Sequence, residues 1–330
     1  MTEKLRVFSL VPDSAVGAAL EARLGLPVTP HEQRAFEDGE HKIRPLANVR
    51  DADVYVLDSH GGAPGESPSD KLVRLAFFIG ALKDASAATV TAVVPYLAFA
   101  RKDRRTKARD PVTTRYVAQM LESIGLDRIA VLDVHNLAAY QNAFRIRAEH
   151  LEARPLIAHA IARLVGNHDA AVVSPDAGGA KRAEAFRLTL TRVLGRPVSN
   201  ALVEKYRSGG VVSGELFAGD VRGKVAVILD DLISTGGTML RAARLCRSHG
   251  AIAVYAAATH ALFSHDAPAV LGDPAFDRVI VTNSVAISDE ASRALGDKLT
   301  VLDVAPLLVE AVVRMHSGGS IVELNEFPEG

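Results

Sequence analysis

Residues 225–240, VAVILDDLISTGGTML, place two adjacent acids and a glycine-containing turn between a strand pattern and a helix pattern. Residues 225–229 are all apolar, which is typical of a strand buried on both faces of a parallel sheet. A helical pattern opens at Met239 and is predicted to end at Gly250. Strand, turn and helix in this order predict an α/β fold with the turn at the carboxyl end of a strand. The polar residues between the two patterns are Asp230, Asp231, Ser234, Thr235, Gly236, Gly237 and Thr238.

This turn has the chemistry of a phosphate-binding site. Its two glycines allow backbone N–H groups to face an anion, its hydroxyls add donors, and the helix N-terminus adds a favourable dipole. Asp230 and Asp231 suit ribose hydroxyls, or a magnesium ion held through water. The simpler interpretation is an ordinary turn between strand and helix that contains Asp and Gly. The nucleotide loops GxxxxGK[ST] and strand-linked GxGxxG are absent from the sequence.

Length and composition narrow the class of protein. The chain has 330 residues, 48% of them hydrophobic, which is enough for two α/β domains. A formal net charge of −1 gives no overall attraction to nucleic acid or to anionic membranes. No apolar run is long enough to cross a bilayer, and the first residues show no secretory cleavage pattern. The single cysteine, Cys246, excludes a disulfide framework and is expected to pack on a helix. These features predict a cytoplasmic protein.

Short apolar runs alternate with helical patterns along the chain. This alternation predicts largely parallel sheets covered by helices, with ligands at the carboxyl ends of the strands. Predicted strands are residues 6–10, 54–57, 91–94, 129–132, 171–174, 225–229, 252–257 and 278–281. Predicted helices include residues 71–83, 112–124, 153–164 and 180–194. Both halves repeat the order, so two similar α/β domains are expected, residues 1–150 and 151–330.

Polar segments interrupt this pattern at residues 60–69, 101–109 and 205–224. The last segment contains five glycines and is expected to be irregular. Long glycine-bearing loops inside a compact domain are often covers of active sites. Lys205 and Arg207 stand at its entrance, where they could close over phosphates and stabilise charge in a transition state. On a loop, however, Lys and Arg most often face water.

Two further segments carry charge in the first half of the chain. The acidic turn is Phe36, Glu37, Asp38, Gly39 and Glu40, and by itself it resembles many exposed turns. Six of the nine residues 101–109 are Arg or Lys, directly after a predicted strand, and they include Arg101 and Lys102 next to Asp103. Such a cluster fits polyphosphate recognition because Arg binds phosphate oxygens in a fork. A solvated basic loop and an RNA contact are the alternatives, and the neutral overall charge weakens the second.

His135 and Asp176 follow two other predicted strands, within DVH and SPDAGGAKR. They could supply nitrogen and oxygen ligands to one divalent cation. Asp176 could instead cap the helix that begins after Gly179, and a lone His is most often structural.

Taken together and in order, these segments resemble the ribose-phosphate diphosphokinases, also called phosphoribosyl-diphosphate synthetases. The resemblance extends from Leu5 to about Ile321, through FEDGE, PYLAFARKDRR, VLDVH, VSPDAGGAKR, KYR and DDLISTGGT. It implies two phosphoribosyltransferase-like domains, the N-terminal one on the nucleotide side and the C-terminal one with the sugar-phosphate loop and catalytic flap. It also implies a homo-oligomer built from dimers, expected as a hexamer, with ATP and ribose 5-phosphate as substrates, phosphoribosyl diphosphate and AMP as products, and Mg²⁺ as cofactor.

The same resemblance implies roles for individual residues. Phe36, Asp38, Gly39 and Glu40, lent by a neighbouring subunit, would hold ATP together with Arg101, Lys102 and Asp103. His135 and Asp176 match the magnesium positions, and Lys205 and Arg207 match the catalytic flap. Ribose 5-phosphate would contact Arg207, Asp230, Asp231, Ser234, Thr235, Gly236, Gly237 and Thr238.

The sequence departs from the family pattern at three places. Lys102 replaces the usual Gln, which adds a cation near the nucleotide, and Ser234 replaces the usual Asp. Residues 136–142, NLAAYQN, replace the stretch that contributes, with the tail after Met315, to regulation by ADP and phosphate. Weak or altered activation by phosphate and inhibition by ADP are therefore predicted.

Two other functions compete with this interpretation. A phosphoribosyltransferase would explain DDLISTGGT but not the first domain. A regulatory homologue would bind synthetase subunits without turnover, although Lys205, Arg207, His135, Asp176 and Asp230 are all present.

Overall fold

The computed structural model describes residues 4–11, 15–62, 66–208 and 211–326, with the side chains of 205–208 and 211–215 left aside. The chain forms two compact units, Met1–Glu152 with Asp303–Gly330, and Ala153–Leu302. The division after Glu152 lies close to the expected boundary. The segment Asp303–Gly330 differs from expectation, because it belongs to the first unit and not to the second.

The first unit alternates strands and helices. Helix α2 begins at Pro68, three residues before the predicted start at residue 71, because Ser67 and Asp70 form a capping box and a proline occupies the first turn. The elements are β1 (Leu5–Ser9), α1 (Val16–Leu24), β2 (His31–Ala35), β3 (His41–Pro45), β4 (Asp53–Leu57), α2 (Pro68–Asp84), β5 (Thr89–Val94), α3 (Thr113–Ser123), β6 (Arg128–Leu132), α4 (Leu137–Ala143) and β7 (Arg147–Leu151).

The second unit follows the same alternation, and the chain then returns to the first unit through two helices. The elements are α5 (Arg154–Val165), β8 (Ala170–Ser174), α6 (Ala180–Leu194), β9 (Ser199–Ser208), β10 (Val211–Gly219), β11 (Val225–Ile233), α7 (Gly237–Ser248), β12 (Ala253–Ala261), α8 (Ala267–Leu271), β13 (Arg278–Thr282), α9 (Asp289–Leu295), β14 (Leu299–Leu302), α10 (Ala305–Ser317) and α11 (Ile321–Glu326).

The first unit is built on a sheet with the strand order β1-β4-β5-β6-β7, and each neighbouring pair is parallel. Phe8, Phe78 and Leu121 are among the buried residues that join its strands to helices α2 and α3. Strands β2 and β3 pair separately as an antiparallel hairpin, and β3 contacts α2. Because all strands of the main sheet are parallel, their carboxyl ends share one edge.

The second unit contains a sheet with the order β10-β9-β8-β11-β12-β13-β14. Its pairs are parallel except β9 with β10, which form an antiparallel edge. Ile228, Val254 and Phe276 are part of the core beneath it, and Cys246 is buried on α7 as expected. The predicted α/β fold, with mostly parallel sheets and helices around them, is confirmed.

The expected irregular loop at residues 205–224 is wrong, and one predicted strand is longer than expected. Residues 205–224 are not a long irregular loop, because β9 extends to Ser208 and pairs with β10 (Val211–Gly219). The strand predicted at residues 225–229 continues to Ile233, since β12 offers partners as far as Ala261. The hairpin of β2 and β3 and the helices α1 and α10 were not predicted.

The C-terminal helices are fixed to the first unit by contacts at both ends. Helix α10 packs on α1, and α11 packs on β7. His316 Nδ1 lies 2.6 Å from Asp53 Oδ2, and Asn325 Nδ2 donates to the carbonyl of His150 at 2.8 Å. These contacts explain why residues after 302 complete the first unit. In the part of the chain that the structure describes, no helix combines the length and apolar character that a membrane span requires.

Candidate active site

The turn between β11 and α7 is shaped by a glycine. Gly236 has a φ of 77°, a conformation that L side chains rarely adopt, and it forms the N-cap of α7. A Cβ at this position would also lie 3.2 Å from Cγ1 of Val270. The helix therefore begins at Gly237, two residues before the predicted Met239. Its first N–H groups have no intrahelical acceptor, so together with the hydroxyls of Thr235 and Thr238 they can bind a phosphate.

Ser234 is linked to a neighbouring segment that sequence reasoning did not find. Its Oγ lies 3.2 Å from Oγ of Ser264, and the N–H of Ser264 donates to the carbonyl of Ser234 at 3.0 Å. On either side of Ser264, Phe263 and His265 have φ values of 39° and 54°. Such positive values are strained for non-glycine residues and are frequent beside functional sites. No local sequence pattern predicts this contact.

The two acids of β11 share one cation. Nη1 of Arg182 lies 2.7 Å from Oδ1 of Asp230 and 3.0 Å from Oδ1 of Asp231. The Asp231 side chain is only 2% exposed, whereas that of Asp230 is 26% exposed. Burial first and the neighbouring Asp231 second raise the pKa of Asp230 to about 7, and Arg182 acts in the opposite direction. Arg182 therefore favours the charged form, which accepts hydrogen bonds from a sugar.

Arg182 was not predicted as a site residue, although it ends the motif SPDAGGAKR. It lies in the first turn of α6, and the turn before this helix is tightly packed. Oδ1 of Asp176 accepts the N–H of Gly179 at 3.0 Å, and a Cβ on Gly179 would lie 2.9 Å from Oγ of Ser174. Asp176 thus stabilises the start of α6, which agrees with the alternative that it caps this helix. Its side chain is also exposed.

Lys205 and Arg207 lie in β9, and their backbones pair with Glu215 and Val212 of β10. Their side chains lie outside the described part of the structure. Their catalytic roles therefore stay predictions.

In the first unit, Phe36, Asp38, Gly39 and Glu40 form the turn between β2 and β3. The N–H of Phe36 donates to the carbonyl of Glu40 at 2.7 Å, and Oδ1 of Asp38 accepts the N–H of Glu40 at 3.0 Å. Gly39 has a φ of 91°. Residues of this turn are exposed, and the Arg34 guanidinium lies 5.1 Å from the Phe36 ring. The turn is thus an ordered, accessible loop.

The basic loop after β5 is held by one carboxylate. Oδ2 of Asp110 accepts hydrogen bonds from Nζ of Lys102 at 2.5 Å, Oγ1 of Thr106 at 2.8 Å, and the N–H groups of Thr106 and Lys107. The Lys102 hydrogen bond is the largest of the causes that lower the pKa of Asp110. Lys102, the cation expected near the nucleotide, thus forms an ion pair with Asp110, and its contact with the nucleotide stays a prediction.

Two predicted site segments of the first unit are brought together. Nδ2 of Asn136 donates to Oδ2 of Asp103 at 2.5 Å, which joins the loop after β5 to the loop after β6. His135, the residue before Asn136, is exposed. Asp133, at the end of β6, has a φ of 40° and its N–H donates to the carbonyl of Leu151. The nucleotide and metal candidates of this unit therefore share one edge of the sheet.

The predicted metal ligands are few. Among the side chains described, no three His, Cys, Asp or Glu residues are grouped so that they could hold a metal ion. His135 and Asp176 belong to different compact units. Magnesium keeps several waters and is often shared with substrate phosphates, so one or two protein groups are enough to hold it. The carboxylate of Asp176 and the imidazole of His135 are each exposed, and their role as magnesium ligands stays a prediction.

The sequence matches models of one protein family in both halves. Residues 5–125 match the N-terminal domain of ribose phosphate pyrophosphokinase, and residues 215–326 match the phosphoribosyl synthetase-associated domain. A ribose-phosphate pyrophosphokinase of Caldanaerobacter subterraneus subsp. tengcongensis is 36% identical over 324 residues, covering 98% of each chain. One of Prochlorococcus marinus is 37% identical over 322 residues, covering 97% of this chain and 92% of that protein.

A solved structure supports the same relationship. The crystal structure of phosphoribosylpyrophosphate synthetase from Mycobacterium smegmatis matches with a TM-score of 0.86 and 34% identity, covering 96% of this chain and all of that chain. The fold, the order of the motifs and the similarity along nearly the whole length therefore agree. The chain belongs to the ribose-phosphate pyrophosphokinase family.

Proposed function

We propose that this enzyme transfers the β,γ-diphosphoryl group of ATP to the C1 hydroxyl of ribose 5-phosphate, giving phosphoribosyl diphosphate and AMP for nucleotide biosynthesis. The observation that carries the proposal is the arrangement at β11, where Asp230 and Asp231 share Arg182 directly before the turn that opens α7. It offers acceptors for sugar hydroxyls and donors for a phosphate within a few residues of one another.

Ribose 5-phosphate binds at this arrangement. Its phosphate is held by the first N–H groups of α7 and by the hydroxyls of Ser234, Thr235 and Thr238, with Gly236 and Gly237 allowing close approach. The ribose hydroxyls donate to Asp230 and Asp231, whose negative charge Arg182 supports. Burial raises the pKa of Asp230, and the hydroxyl groups of the sugar, by donating hydrogen bonds to the carboxylate, act in the opposite direction and favour its ionised form.

ATP binds at the carboxyl edge of the first unit's sheet. Arg101, Lys102 and Asp103 supply the polar contacts, and the exposed turn with Phe36, Asp38, Gly39 and Glu40 reaches the nucleotide of a neighbouring subunit. A contact between this turn and the nucleotide of a neighbouring subunit requires a homo-oligomer built from dimers, and we expect a hexamer. The tight Lys102–Asp110 pair leaves Arg101 as the cation of this segment with the greater freedom to contact phosphate.

His135 and Asp176 would each offer a ligand to Mg²⁺, which would supply positive charge to offset that of the polyphosphate. Lys205 and Arg207 of β9 stabilise the negative charge that develops on the transferred diphosphoryl group in the transition state. In the reaction, the oxygen of the C1 hydroxyl forms a bond to the β-phosphorus of ATP and releases its proton to solvent. The bond between the β-phosphorus and the oxygen bridging to the α-phosphorus breaks, and AMP leaves. The enzyme orients the two substrates in line and stabilises spreading charge, without a protein nucleophile.

No specific observation favours either of the two alternative functions. A phosphoribosyltransferase would not account for the match of residues 5–125 to the pyrophosphokinase N-terminal domain. The relatives compared above carry the name of the enzyme and not of a regulatory subunit.

The proposal is tested by incubating the purified chain with MgATP and ribose 5-phosphate and following AMP and phosphoribosyl diphosphate by ³¹P NMR. Equal amounts of the two products are expected, and Asp230→Ala should weaken ribose 5-phosphate binding by about 1–3 kcal/mol. Binding of both substrates without AMP formation would instead support a regulatory homologue. Consumption of phosphoribosyl diphosphate with a nucleobase would support a phosphoribosyltransferase.

A further inference from the structure

A cluster of buried charged and polar side chains lies behind the carboxyl end of β4 and has no role in the chemistry above. It consists of Asp58 and His60, which follow β4, and Lys71 and Arg74 of α2. Their exposed fractions are 1%, 0%, 8% and 4%. Burial of such groups costs free energy unless they are paired and hydrogen-bonded.

The cations of α2 hold the chain that follows β4. Nη2 of Arg74 donates to Oδ1 of Asp58 at 3.0 Å, and its other terminal nitrogen contacts Glu66. Nζ of Lys71 donates to the carbonyls of Ser59 and Gly61 at 3.2 and 2.7 Å. The backbone around His60 is therefore fixed by α2.

His60 in turn holds the chain that follows β5. The backbone N–H of His60 donates to the carbonyl of Tyr96 at 3.0 Å. The imidazole Nδ1 accepts the backbone N–H of Ala98 in a longer hydrogen bond of 3.5 Å. An Nδ1 that accepts a hydrogen bond carries no proton, so the imidazole is the neutral tautomer protonated at Nε2. This agrees with burial and the charges of Arg74 and Lys71, which lower the pKa of His60 to about 3.

The segment that His60 holds leads directly into the basic loop. Ala98 is 3% exposed, and the next residue, Phe99, has a φ of 62°. The hydroxyl of Thr114 donates to the carbonyls of Phe99 and Lys102 from the far side. Arg101 therefore starts from a backbone that is fixed before it by His60 and after it by Thr114.

We propose that His60 is a positioning residue for the nucleotide, acting through Tyr96 and Ala98 on Arg101. The role rests on the proposed function, because it assumes that the segment 101–103 contacts ATP. His60 itself touches no substrate in this arrangement. Its task is to fix the backbone at the point where β5 passes into the basic loop, and the ion pair between Arg74 and Asp58 keeps its surroundings in place.

The test uses substitutions that differ only in the acceptor at the Nδ1 position. His60→Leu fills the space of the imidazole with a side chain that has no hydrogen-bond acceptor. In His60→Asn, the amide oxygen takes the position of Nδ1. His60→Leu should raise the KM for ATP about 5–10-fold, with the KM for ribose 5-phosphate and kcat changed by less than about twofold. His60→Asn should recover most of the loss. Thr29→Val is the matched control, since it removes another buried acceptor of the first unit, for the N–H of Val7.

Hydrogen exchange of the backbone provides a second readout that does not depend on turnover. The Ala98 amide should exchange at least about tenfold faster in His60→Leu than in His60→Asn or the unchanged chain. Unchanged exchange and an unchanged KM for ATP in His60→Leu would overturn the proposal. An equal rise in both KM values, or no recovery with Asn, would also overturn it, because general loosening has those effects. Absence of AMP formation by the unchanged chain would refute the proposed function, while the exchange result would still decide whether His60 orders this segment.

Discussion

The guanidinium of Arg182 lies 2.7 Å from the carboxylate of Asp230, although the two residues come from different elements, α6 and β11. The same nitrogen reaches the buried Asp231, so one cation offsets two acids. A site built to accept hydrogen bonds from a sugar must keep carboxylates charged in a partly buried place. Arg182 acts in this direction, against the burial and the neighbouring Asp231 that raise the pKa of Asp230. Its removal should affect stability and sugar binding together.

Arg182→Ala should lower the free energy of unfolding by about 1–3 kcal/mol, because it leaves two acids without their cation in a partly buried site. The KM for ribose 5-phosphate should rise at the same time. Urea denaturation and initial rates measure the two effects. Arg192→Ala, at an exposed position of the same helix, is the control and should change neither. A stability loss in Arg182→Ala no greater than in the control would contradict the role given to the ion pair.

Stability should depend on pH through Asp230. The folded chain holds this proton more tightly than the unfolded chain, because the pKa rises from 3.8 to about 7. The contribution of Asp230 to stability therefore falls as the pH rises from about 4 to about 7 and is level above that. Its size is at most about 4 kcal/mol, at about 1.4 kcal/mol per tenfold change in proton affinity. Comparing urea denaturation of the unchanged chain and Asp230→Asn across pH 4.5–8 should show a smaller decline in the variant; parallel curves would count against it.

Lys205→Ala should lower kcat by roughly 10²–10³ with a modest change in affinity for ribose 5-phosphate, because its proposed role lies in the transition state. Steady-state rates and equilibrium binding of the sugar phosphate separate the two quantities. If both fall equally, Lys205 only binds substrate.

The pair of Lys102 and Asp110 can be tested by a double-mutant cycle. Asp110→Ala removes an oxygen that accepts four hydrogen bonds within the basic loop. The loop should therefore lose order, and the KM for ATP should rise about 3–10-fold. Lys102→Gln alone should have a smaller effect, and the double variant should lie close to Asp110→Ala. Strictly additive effects would show that the two side chains are not coupled in the active enzyme.

Regulation should differ from the common family pattern, since residues 136–142 depart from it. In this chain they form the N-cap Asn136 and helix α4, with Asn136 bonded to Asp103. Phosphate should therefore activate weakly, and ADP should not give sigmoidal inhibition. Initial rates over a grid of phosphate and ADP concentrations measure both. Strong phosphate dependence together with sigmoidal ADP inhibition would refute this expectation.

The sequence was sufficient to predict the features that depend on neighbouring residues. The strand, acids, turn and helix around Asp230 are local, so periodicity and glycine placement identify them. The same holds for α2 and α6. Even there the strand was predicted too short, because its length depends on β12, which no local pattern specifies.

Contacts between distant segments were not predictable in this way. Arg182 and Asp230 are separated by 48 residues, and nothing in either segment identifies the other. The pair of β9 and β10 was mistaken for an irregular loop, because its glycines were read as loop signals. The return of the last helices to the first unit was also missed, since an apolar helical face does not indicate which surface it will cover.

That return has a consequence for synthesis of the chain. Ala153–Leu302 is continuous, whereas the other unit needs residues from both sides of it. On the ribosome, the later-made half therefore has all of its strands before the earlier-made half receives α10 and α11. Until then the surface of α1 that packs on α10 stays uncovered, and Asp53 lacks its contact with His316. The unit that is translated first is thus the one that is completed last.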